Sequence, residues 1–75
     1  MNMKNIAVLI TFYNEKVDYV VECLDSVILS KKDFLKYYPD NDVKIYVSFD
    51  DKNNLDIIDY VKGLNRDDII ININE

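Results

Sequence analysis

The chain has no histidine and no tryptophan, and its 75 residues include one cysteine, one glycine and one proline. Without histidine there is no Ser-His or Cys-His nucleophile pair and none of the usual zinc sites. The lone thiol, Cys23, cannot close an internal disulfide and has no imidazole to activate it. A single unpaired cysteine fits a reducing, cytoplasmic compartment. The scarcity of Gly and Pro excludes a low-complexity linker. Positive charge is also short: 9 Lys and Arg against 14 Asp and Glu leave a net charge of −5, which offers no footprint for nucleic acid. No apolar run is long enough to span a bilayer, and the first one is short and reads into the fold rather than as a signal peptide.

What the chain does have is an apolar content of 49%, ample for a globular core, with 31% charged residues to keep it soluble. At this length it is one domain or part of one, and such a chain buries only about 60% of its unfolded surface. Lys4 to Phe12 reads as a strand, its nearly unbroken apolar run typical of a parallel strand covered on both faces. From Lys16 or Val17 to about Phe34 a helix follows, with Val17, Val20, Val21, Leu24, Val27 and Ile28 on one stripe. Lys31-Lys32 falls at its end, where cations suit the helix dipole. Tyr37 to Asp42 is a turn broken by Pro39 and Asn41, and Val43 to Phe49 is a second strand. After a loop, Asn53 or Asn54 can cap a second helix that buries Ile57, Ile58, Val61 and Leu64 and ends near Gly63 and Asn65. Ile69 to Ile73 is a third strand.

The order β-α-β-α-β with right-handed crossovers gives an α/β fold, a parallel sheet of spatial order 3-2-1, half of a doubly wound Rossmann-like arrangement. That order leaves the first strand at an edge. Yet Ile6 to Ile10 carries neither charge nor Pro to blunt its open side. The expectation is that residues 1–75 form a single truncated domain whose first strand pairs with later sequence or another chain.

Both longer strands end in polar clusters, Thr11-Phe12-Tyr13-Asn14-Glu15 and Asp50-Asp51-Lys52-Asn53-Asn54. In open parallel sheets ligands sit outside the carboxyl ends of the strands, so the two clusters suggest one site. The first cluster ends the strand in Thr-x-Tyr-Asn; Leu24-Asp25-Ser26-Val27 and the strand ending in Asp50-Asp51 follow. In that order these motifs resemble the start of family 2 glycosyltransferases of GT-A fold, over essentially the whole chain.

The resemblance implies binding of a nucleotide-diphosphate sugar, UDP-linked, for transfer of the sugar to an acceptor. It matches Thr11 and Tyr13 to positions that meet ribose and base, with the Tyr13 ring stacked on uracil. Asp51, or its neighbour Asp50, would accept the uracil imide N–H; Asn14 and Glu15 would touch ribose or hold Asp51. A divalent metal, Mg²⁺ or Mn²⁺, is expected for the full-length family, but its Asp-x-Asp ligands and the catalytic base come later in the family than this chain reaches. This chain therefore has no catalytic and no metal-binding residue of its own, and alone it should not transfer sugar. Asp40-Asn41-Asp42 spells Asp-x-Asp but falls at the wrong end of the sheet. The sequence departs from the pattern at Ile10, where the family commonly has Pro, and in the second loop, which lacks Gly.

Blander alternatives stand beside this reading. Tyr13 can cover the sheet end, and Asp50 and Asp51 can be charges favoured by a helix N-terminus. The chain would then be a non-catalytic interaction or nucleotide-binding module. A receiver-like phosphoacceptor domain fits less well, because the first strand ends in Thr11-Phe12-Tyr13 rather than in acids.

Overall fold

The computed structural model describes residues 4–74. Three strands, β1 (Asn5–Phe12), β2 (Asp42–Phe49) and β3 (Ile69–Ile73), alternate with two helices, α1 (Val17–Tyr37) and α2 (Leu55–Gly63). β2 lies between β1 and β3, and both pairings are parallel, so the spatial order is the one expected. Ile6 stands beside Val43 and Phe12 beside Phe49, while Ile45 stands beside Ile69 and Phe49 beside Ile73.

The core lies between one face of the sheet and the two helices. Val43, Ile45, Val47 and Phe49 present every second β2 side chain to it, and Val20 and Leu24 of α1 and Ile57, Ile58 and Val61 of α2 close it. Phe12 and Phe49 stack at its upper end, ring centroids 6.0 Å apart. The helical stripe is the one read from spacing except at Val21: Val17, Cys23, Val27 and Ile28 pack around the buried Val20 and Leu24.

The expectation that β1 is covered on both faces is wrong. Its residues alternate, with Ile6, Val8 and Ile10 half-buried and Asn5, Ala7, Leu9 and Thr11 exposed, Leu9 to 78%. Two right-handed crossovers stepping in the same direction put both helices on one side, so among the described residues the other side is bare. Tyr46 and Ile70 are each 39% exposed on that bare face.

Several local expectations also shift. α1 continues to Tyr37, one turn beyond the expected end, because no breaker precedes Pro39. Phe34 and Tyr38 pack at 5.0 Å on that last turn, and the Tyr38 N–H donates to the Phe34 carbonyl. Lys31 is therefore not a terminal cation. It reaches Asp68, before β3, with Nζ 2.5 Å from Oδ2, and Arg66 donates two further bonds to that carboxylate, each 2.9 Å. The Arg66 hydrogen bonds, followed by those of Lys31, hold the Asp68 carboxyl well below the ordinary carboxylate range despite its desolvation. Gly63 is the last residue of α2, and Asn65, at φ 49°, makes the left-handed turn that ends the segment; Asn takes that region more readily than most residues.

Candidate functional site

The carboxyl ends of the three strands meet in a row. The Asp50 N–H donates to the Phe12 carbonyl at 2.9 Å, and the Asn74 N–H donates to the Phe49 carbonyl at the same distance. The parallel ladder thus carries one residue past each strand end and sets two loops side by side, 13–16 and 50–54. Phe12 and Phe49 turn inward as the anchors, so Thr11, Tyr13 and Asp50 face solvent.

The first loop is a tight turn. The Tyr13 N–H donates to Glu15 Oε2 at 2.5 Å, which folds the glutamate back and leaves the Tyr13 side chain 58% exposed. The second loop is built on Asp51, whose Oδ1 accepts the Asn53 N–H at 2.9 Å in an Asx turn. Asn54 precedes α2, but its side chain makes no capping bond, contrary to the sequence reading. It crosses to the first loop instead, with Nδ2 3.4 Å from both Asn14 Oδ1 and the Glu15 carbonyl.

All six residues read from sequence, Thr11, Tyr13, Asn14, Glu15, Asp50 and Asp51, lie on these two loops and the strand end between them. No hydrogen bond joins Asn14 or Glu15 to Asp51; Asn54 bridges the two loops, while Asp51 Oδ1 is engaged within its own loop. Asn74 was not singled out by the sequence reading. Its Nδ2 lies 3.4 Å from both Asp50 Oδ1 and Ser48 Oγ, and its Oδ1 accepts from Asn72. The signal that finds it is the rule already applied to the other two strands: a polar residue one step beyond the carboxyl end of β3.

Below this row, a shallow basin of about 420 Å³ opens on the bare face, lined by Leu9, Thr11, Tyr46, Ser48, Ile70 and Asn72. The combination can do specific chemistry. An exposed phenol ring offers a stacking face, free carboxylate oxygens accept from N–H or hydroxyl donors, and the carboxamides offer both donors and acceptors. Among the described residues no group of three or more His, Cys, Asp or Glu side chains could hold a metal ion. Asp40-Asn41-Asp42 lies at the opposite end of the sheet, as expected, where Asn41 Oδ1 accepts the Lys4 N–H.

Comparison with protein-family models, with curated proteins and with solved structures finds no match to this chain. No helix among the described residues is long and apolar enough to cross a membrane.

Proposed function

We propose that the chain is the nucleotide-binding half of a GT-A, family 2-like glycosyltransferase and takes the nucleotide of a UDP-linked sugar at the carboxyl end of its sheet. The observation that carries this reading is the convergence of an exposed Tyr13 ring with Thr11, Asp50 and Asp51 on adjacent loops of a parallel sheet. Tyr13 stacks on the base, and Asp51, with one oxygen uncommitted to its Asx turn, accepts the imide N–H. Thr11 and Asn14 meet the ribose, while Glu15 fixes the turn that presents Tyr13. The divalent metal of the full-length family has no ligand set among the described residues, so the reading assigns this chain base recognition and no metal-dependent step. It places the protein in the cytoplasm, where Cys23 stays a thiol.

The test is a UDP titration followed by amide NMR, with and without Mg²⁺. Shifts confined to residues 11–15 and 50–54, the same with or without the metal, are the expected result. A folded protein whose spectrum ignores UDP at millimolar concentration overturns the reading, and turnover of a UDP-sugar by the 75-residue chain overturns its inactive status.

A further inference from the structure

Among the described residues, the backbone of β1 is bonded on one side only. The Asp42 N–H donates to the Lys4 carbonyl and the Asp50 N–H to the Phe12 carbonyl. Those two bonds set the phase of the ladder: even-numbered residues turn their backbone groups to β2. Asn5, Ala7, Leu9 and Thr11 therefore turn theirs outward along an eight-residue edge. No charge and no Pro interrupts it. The opposite edge, on β3, is only five residues long, and Lys62 and Arg66 flank it, two devices that discourage strand addition. Beside the β1 edge, under α1, an apolar slot of about 320 Å³ lies open between Ile6, Val8, Val27, Phe34 and Val43.

We propose that two copies of this chain pair antiparallel along β1, related by a two-fold axis at Val8, to make one six-stranded sheet. The strand is complementary to itself in that register. Ala7 and Leu9 exchange backbone hydrogen bonds with Leu9 and Ala7 of the other copy, as do Asn5 and Thr11, so every outward group finds a partner. On the bare face the large Leu9 side chain then lies beside the small Ala7. On the helix face Val8 meets Val8, Ile6 meets Ile10, and these β-branched pairs stand at the mouth of the slot. The charges at the strand ends also agree with a second copy. Lys4 precedes the strand and Glu15 closes the turn after it, and the antiparallel arrangement brings the Lys4 end of each copy to the Glu15 end of the other. The pairing draws on two residues assigned to the nucleotide, Thr11 through its backbone and Glu15 through its charge at the end of the turn, and its readout, mass against concentration, is separate from UDP binding.

The experiment is sedimentation equilibrium of the intact chain from roughly 1 µM to 1 mM, since self-association follows mass action. The expected result is a rise from 8.9 kDa toward twice that mass. Leu9→Lys should return the protein to the monomer with unchanged circular dichroism, because Leu9 is 78% exposed and outside the core. Ala7→Pro should do the same by removing an outward N–H that β2 does not use. Amide exchange on the unmutated chain gives a second readout that needs no variant. Ala7, Leu9 and Thr11 should become protected as concentration rises, while Ile6, Val8 and Ile10 are protected throughout. A monomer at every concentration overturns the proposal. So does a dimer that survives Leu9→Lys with Ala7 and Leu9 still exchanging freely, which would move the contact to the bare face of the sheet.

Discussion

The two faces of this sheet share three strands and almost nothing else. On the helix side, Ile45, Val47 and Phe49 are fully buried. On the other side, one residue along in each case, Lys44, Tyr46 and Ser48 reach solvent. The alternation is strict in β2 and present in β1, although the β1 sequence Ile6-Ala7-Val8-Leu9-Ile10 is apolar at every position. Apolar residues on a strand are permission for burial, and only an element packed against them uses it. A continuous run therefore does not say how many faces are covered.

The largest effect should separate the faces directly. Ile45→Ala removes a fully buried side chain from under both helices and should cost about 3 kcal/mol. Tyr46→Ala, the adjacent residue on the bare face, should change stability by about 0.5 kcal/mol or less. Urea denaturation of both variants checks the pair, and equal losses would mean that the bare face is covered in solution.

Asp68→Asn should come next, at about 2 kcal/mol, because it leaves Lys31 short of its partner where both side chains are only about one-sixth exposed. The same group sets an acid limit. A carboxyl held below its ordinary value stabilises the folded state above the unfolded range and loses that contribution as pH falls toward its folded value. The unmutated protein should therefore lose stability below about pH 4, the normal range for Asp, and Asp68→Asn should show a flatter profile there. Thermal midpoints measured across that range decide it.

Smaller effects concern the loops. Tyr13→Ala should weaken UDP binding by roughly tenfold, the stacking contribution of one base, while leaving urea stability within about 0.5 kcal/mol. Asn54→Ala should also cost little, about 0.5 kcal/mol, because its two cross-loop bonds are 3.4 Å long. Its amide spectrum should nevertheless show the 13–16 loop shifting, and an unchanged loop would remove Asn54 as the bridge.

How far the sequence could be read varies with what each feature depends on. The helical stripe from Val17 to Ile28, the strand Ile69–Ile73 and the polar tips after Phe12 and Phe49 were legible, because period and strand ends are local properties. Lys31 was misread as a helix-end cation because its partner, Asp68, is 37 residues away and joins it only once β3 is in place. Asn54 stands at the N-cap of α2 as its sequence suggests, but its carboxamide bonds a loop 40 residues earlier instead of its own helix, for the same reason. Asn74 was not seen at all, since its bonds to Asp50 and Ser48 need the β2–β3 register.

By itself, then, the sequence determined the alternation of strands and helices, the parallel order that short right-handed crossovers impose, and the polar residues at the carboxyl ends. Only the tertiary structure decided that both helices share one face, that Lys31, Arg66 and Asp68 lock the amino-terminal end, and that Asn54 and Asn74 tie the loops at the other. Backbone pattern is set by neighbours a few residues apart, whereas coverage and long-range polar pairing depend on which surfaces the folded chain brings together.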